Sequence, residues 1–179
     1  MENANLWDAN MENAALLSAN MQYANLRNVN MQNTDLGNAN MENAALWGAN
    51  MQNANLWDAN MENTDLRDAN MQQADLRDAN LQNATLENAN LQNAHLRDVN
   101  MQNAKNLTDA FLRGASVRLF DFTDLPISQD QIDEMFGDGS VTLPDSITWP
   151  SHWPKEELSD DEFHTKWEEW KKTLPPVRN

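Results

Sequence analysis

The chain has 179 residues, with 28 acidic against 12 basic side chains, no cysteine, five glycines and six prolines. The absence of cysteine excludes disulfides, thiolate metal ligation and thiol catalysis, and suits a reducing compartment, so the expected location is the cytoplasm. A formal charge of −16 disfavours nucleic acid and anionic membranes as direct partners, no apolar run approaches the roughly 20 residues of a bilayer span, and the acidic start lacks a signal-peptide pattern.

From the first residue the chain repeats. Nine of the ten methionines stand at positions 1, 11, 21, 31, 41, 51, 61, 71 and 101, Leu81 and Leu91 complete that series, and Leu6, Leu16, Leu26 and onward to Leu96 fall midway between. Two positions before each large residue is a small one, from Ala4 to Val99, and asparagine occupies every tenth position from Asn10 to Asn100. A period of five matches neither the 3.6 of an α-helix nor a continuing two-residue alternation. Within one unit the small and large residues lie two apart, so a short extended segment points both to one side. The last residue of the unit (Asp8, Ser18, Asn28, Asn38, Gly48, Asp58) is a turn former. Four segments and four corners make a square coil of 20 residues, with Ala, Leu and Met filling a narrow interior. The twenty units up to Ala104 give five coils, a rod about 24 Å tall at a strand spacing of about 4.8 Å. Residues 20 apart then form ladders, among them Asn10, Asn30, Asn50, Asn70 and Asn90, whose amides can bond to one another and whose role is structural. Strict apolar register also disposes of the disorder that low mean hydropathy, −0.77, would otherwise suggest.

Ala4-Asn5-Leu6, Thr34-Asp35-Leu36, Thr64-Asp65-Leu66 and Ala74-Asp75-Leu76 carry a motif that resembles the pentapeptide-repeat family, A-[DN]-L-x-x. The resemblance implies an all-β fold, a right-handed quadrilateral parallel β-helix of five to six coils. It also implies a protein of bacterial type. Met1-Glu2-Asn3 already lies in the repeat register, so the first coil is uncapped. Its free edge invites strand pairing with a second chain, or the sequence continues a longer repeat, which is the favoured expectation.

After Met101 the register slips: Ala104-Lys105-Asn106-Leu107 holds one residue too many, which predicts a bulge. Residues 103–124 then read as a degenerate last coil, closing a β-helix over 1–124, and 125–179 as a helical cap. Ser128-Gln129-Asp130-Gln131 is a capping box opening a short helix expected to reach Phe136 and stop at Gly137. Ser159-Asp160-Asp161-Glu162 is a second capping box, before a helix presenting Phe163, Trp167, Trp170 and Leu174 on one face and ending before Pro175. That face is expected to dock on its own rod, a dimer contact being the alternative, since C-terminal dimers occur in the family it resembles. The pattern of prolines and tryptophans from Gly137 onward is similar to tails of bacterial pentapeptide-repeat proteins.

No catalytic, cofactor or metal site is expected. His95, His152 and His164 have no spacing partner, and His95 is read as a lone surface imidazole. Function is expected at the surface. Trp7 and Trp47 fall on one face of the rod and Trp57 on the opposite one, each just after an inward leucine; alternatively the tail, with Trp149 and Trp153, covers one or two of them. Asp58, Asp78 and Asp98 form one ladder beside Arg77 and Arg97. These six residues, Trp7, Trp47, Trp57, Asp58, Asp78 and Asp98, are the candidate partner surface of a rigid interaction or scaffold module. The uncapped first coil and the C-terminal helix are candidate homodimer contacts. The competing expectation comes from the quinolone-resistance type of the family, whose members look like B-form DNA and bind type II topoisomerases. Duplex DNA would carry about 14 charges over about 24 Å, whereas the rod to residue 104 nets −9 and places arginines beside its acids.

Overall fold

The computed structural model describes residues 1–176. Parallel bridges join residues 20 apart through the repeat, Asn5 to Asn25 to Ala45 to Asp65 on one side and Asn10 to Asn30 to Asn50 to Asn70 on another. Each five-residue unit pairs with the coil above mainly through one bridge residue and the flanking amides. Leu6 N, for example, donates to Asn25 O at 2.8 Å, and Asn25 N returns a bond to Ala4 O at 2.9 Å. Continuous strands are therefore confined to β1 (His95–Arg97) and β2 (Ser116–Arg118), which pair in parallel. The corners are β-turns: Ala9 N donates to Leu6 O at 3.0 Å, and the second of the two residues between, Asp8, is left-handed at φ 56°. Asparagine and aspartate tolerate that conformation better than other side chains, which is the physical reason they recur at the end of the unit.

The interior is the Ala and Leu/Met column. Met21, Leu26, Met31, Leu36 and their successors to Leu91 are inaccessible to solvent. Leu6, Met11 and Leu16, in the first coil, are half buried. The asparagine ladders are structural as expected, in stretches. Asn30 donates to Asn10 at 3.1 Å and Asn80 to Asn60 at 3.1 Å, while the acceptor oxygens also take the amide two residues on, as Asn10 does from Glu12 at 3.1 Å.

The slipped register is accommodated as a bulge. Thr85 pairs with Lys105, but Asn90 pairs with Phe111, one residue further than the repeat demands. A 3₁₀ turn at Leu107–Asp109, preceded by left-handed Asn106, absorbs the extra residue and keeps Leu107 in the core. Stacking continues past 124, with Ser116 bridged to Phe136 and Asp121 to Thr142, and the core runs unbroken into Ile132, Met135, Val141 and Trp153.

Both capping boxes form. The first opens α1 (Gln129–Asp133), which is shorter than expected because Phe136 is already drawn into the bridge with Ser116. Gly137 does not stop the helix; the Trp153 ring lies where its Cβ would be, 2.6 Å away, so glycine is required for that approach. The second box opens α2 (Asp160–Lys171), whose Phe163 and Trp167 are buried with Phe136 and Leu158, Trp170 packing alongside. The helix docks on its own rod, as expected. Trp167 Nε1 donates to Gly114 O at 2.9 Å, and Arg97 Nη1 to Asp160 Oδ2 at 2.7 Å.

Candidate partner surface

The rigid ladder fixes what each outward side chain can reach. The residue after each inward leucine stands on a flat face, one coil above its counterpart 20 residues earlier. On one face the order is Trp7, Arg27, Trp47, Arg67, Glu87; on the opposite face it is Leu17, Gly37, Trp57, Arg77, Arg97. Trp7 is 60%, Trp47 45% and Trp57 44% exposed, so the tail covers none of them. Trp149 and Trp153 pack instead against the core at the far end, Trp153 Nε1 donating to Met135 O at 2.8 Å.

Two of the three indoles are clamped by acids one coil up. Trp47 Nε1 donates to Asp68 Oδ2 and Trp57 Nε1 to Asp78 Oδ2, each at 2.8 Å. The five-residue period points these rings outward without revealing the clamps, whose signal in the chain is the aspartate 21 residues after each of the two tryptophans. Of the six candidate residues, Trp57 and Asp78 are thus joined directly, with Asp58 and Asp98 on the same ladder. Trp7 and Trp47 line a separate slot of about 360 Å³ with Asn25, Arg27, Asn28 and Arg67. The six therefore form two opposed surfaces.

The arginines do not neutralise the acidic ladder in the expected way. Arg67 grips Asp65 in a bidentate pair (Nε–Oδ1 2.8 Å, Nη2–Oδ2 2.7 Å), and Arg77 does the same with Asp75. Both pairs come from an Asp-Leu-Arg unit in which the two polar residues flank one inward leucine and point to the same side. The hydrogen bond from Arg67 holds the Asp65 carboxyl below its ordinary range. Burial pushes Asp75 up, but the bonds from Arg77 outweigh it and the net shift is also downward. Among the described residues Asp58, Asp78 and Asp98 form no ion pair.

Arg97 and Arg118 serve the tail. Arg118, 6% exposed, donates to the fully buried Asp138 (Nε–Oδ2 3.2 Å) and to Leu158 O (2.5 Å), bonds Asp160, and lies 5.0 Å from the Phe163 ring centre. Leu158 N and both Ser140 donors complete the shell of Asp138. His95 corrects the expectation of a free surface imidazole. It leaves the rod outward but meets α2, edge-on to Trp167 with ring centres 4.5 Å apart, and burial lowers its pKa. His152 stacks on Trp170 at 5.0 Å with its Nε2 2.8 Å from Met135 O. Both imidazoles are packed into the cap. No helix is long and apolar enough to cross a membrane among the described residues.

The comparisons with known proteins agree with the coil geometry. A family model described as pentapeptide repeats matches in eight copies, over residues 1–33, 30–68, 46–83 and 74–124. Among solved structures, HetL, a pentapeptide repeat protein involved in heterocyst differentiation regulation from the cyanobacterium Nostoc sp. strain PCC 7120, is 28% identical. The match covers 64% of this chain and 60% of HetL at a TM-score of 0.43. A second pentapeptide repeat protein from the same cyanobacterium is 30% identical, covering 57% of this chain and 83% of that one at a TM-score of 0.47. Full-length QnrB1, a plasmid-mediated fluoroquinolone resistance protein, is 14% identical across 94% of this chain and 88% of its own, at a TM-score of 0.50, a likeness of fold alone. No curated protein matches the chain.

Proposed function

The chain belongs to the pentapeptide-repeat family, and from that premise we propose that it is a non-catalytic, cytoplasmic interaction module whose right-handed rod presents aromatic anchors to a protein partner. In this reading residues 1–124 are the rod and the remainder its cap. The observation that carries it is the pair of clamped, half-exposed indoles, Trp47 and Trp57. An aromatic ring already held in one orientation loses little freedom on binding, so more of its contact energy appears as affinity. Affinity capture from a cell lysate with the wild type and with the Trp47→Ala and Trp57→Ala variants tests it. A discrete protein retained by the wild type and lost from at least one variant is the expected result; equal capture by all three rejects the anchors.

One observation favours a second reading, inhibition or protection of a type II topoisomerase by imitation of DNA. Among the described residues Asp58, Asp78 and Asp98 make no ion pair, and they stand on successive coils about 4.8 Å apart. That single ladder is sparser than a duplex, which carries a charge about every 1.7 Å of axis, so the reading stands second. A gyrase supercoiling assay separates the two. Inhibition that disappears when Asp58, Asp78 and Asp98 are replaced by asparagine would promote it above the first.

A further inference from the structure

The slot on the Trp7 face has features that the rest of the rod lacks. Trp7 and Trp47 stand two coils apart, about 9.6 Å along the axis, with Arg27 midway between them. Arg27 is exposed and, among the described residues, makes no ion pair, whereas Arg67 in the same slot is held by Asp65. Asn25 also lines the slot, and its Oδ1 is the one buried side-chain polar atom without a hydrogen-bond partner among the described residues. Its counterparts Asn5, Asn55, Asp65 and Asp75 each accept the amide two residues on; Asn25 donates to Asn5 at 2.9 Å but accepts nothing.

We propose that this slot binds an acidic, proline-rich segment of a partner protein in the polyproline II conformation, lying along the rod axis; the proposal rests on the interaction-module reading and names the partner's chemistry. The pitch selects the conformation. A polyproline II helix returns the same position to the same face every three residues, about 9.3 Å, within a few tenths of an ångström of the Trp7 to Trp47 spacing. A β-strand repeats at about 6.8 Å, and an α-helix returns at about 5.4 Å or, after seven residues, about 10.5 Å. A proline at each repeat can then lie on each indole, the mode by which aromatic-lined grooves hold such segments. An acidic side chain between them meets the unengaged Arg27 guanidinium. The segment makes no internal hydrogen bonds, so a backbone N–H is available to Asn25 Oδ1 once that amide turns into the slot.

The test is titration of the full chain with a synthetic peptide of about five Pro-Glu-Ala repeats, followed by fluorescence anisotropy. The control peptides have Glu replaced by Lys or Pro replaced by Ala. Saturable binding is expected, weakened at least about tenfold by either peptide change and by Trp47→Ala or Arg27→Glu. These side chains are exposed, and circular dichroism checks that the variants keep the fold. Equal binding of the acidic and basic peptides, or of the wild type and both variants, would overturn the proposal. So would binding of polygalacturonate at the slot in place of the peptide. Failure of the peptide alongside a lysate partner that still depends on Trp47 or Trp57 would reject this partner chemistry and leave the interaction module standing; failure of both would remove both.

Discussion

From Asn3 to Asn103 every fifth residue takes a left-handed φ between 53° and 61°, apart from Gly48 at 68°. Asparagine and aspartate fill most of these positions because a short polar side chain tolerates the conformation, while a larger residue pays about 1–2 kcal/mol. Tyr23, at φ 57° and 56% exposed, breaks the pattern, on a ladder shared with Asn3 and Asn43. Tyr23→Asn should therefore stabilise the rod by about 0.5–1 kcal/mol, since the strain is relieved and little packing is lost. An increased urea midpoint at unchanged slope is the expected result, and a decreased midpoint would show that the ring contributes packing worth more than the strain.

At the scale of the element, α2 is attached through a face that mixes apolar and titratable groups. His95 is held against Trp167, with Asp75 and Arg77 on the rod and His164 and Lys171 on the helix around it, Lys171 Nζ lying 3.6 Å from the Trp167 ring centre. Burial lowers the His95 pKa, and Arg77, Lys171 and His164 act in the same direction against Asp75. The folded state therefore binds its proton more weakly than the unfolded one. Docking is at full strength above the ordinary histidine pKa of about 6.5 and weakens as pH falls below it. Asp160 adds to this at lower pH. Hydrogen bonds from Arg97 and then Arg118 hold it below the ordinary carboxylate range, so its contribution is lost as pH falls through that lowered value. The protection factors of the α2 amides, taken relative to intrinsic exchange at each pH, should fall between pH 7 and about pH 5 while those of the rod hold, and His95→Gln should flatten that step. An unchanged profile in the variant would place the acid sensitivity elsewhere.

For the molecule as a whole, stability is passed from coil to coil. Each coil contacts the one above and the one below, so the rod behaves as a stack of nearest neighbours. Leu56 is inaccessible to solvent in the middle of that stack. Leu56→Ala should cost about 2–5 kcal/mol, and the loss of hydrogen-exchange protection should be greatest in its own coil and the two adjoining ones. Uniform loss from Met21 to α2 would instead show that rod and cap open as one unit. The continuous core from the rod into Ile132, Met135 and Trp153 supports the rod at its far end, where the larger side chains of the cap close the column.

The coil was legible in the residues themselves because a strict period of five leaves one way to bury every Ala and Leu/Met at once. The bulge at Asn106 and both capping boxes were legible for similar reasons: each is set by residues within a few positions of one another. Contacts across the stack were less visible. The clamps on Trp47 and Trp57 join residues 21 apart, and their rule emerges only once coils are known to lie directly above each other. The tail was beyond local reading altogether. Arg118 meeting Asp138 and Asp160, and His95 lying under Trp167, depend on where α2 lands, and that is decided by which patch of rod can bury Phe163 and Trp167. Short-range chemistry thus determined the coil, its corners and the outward tryptophans, while tertiary packing alone decided which outward groups stay free for a partner.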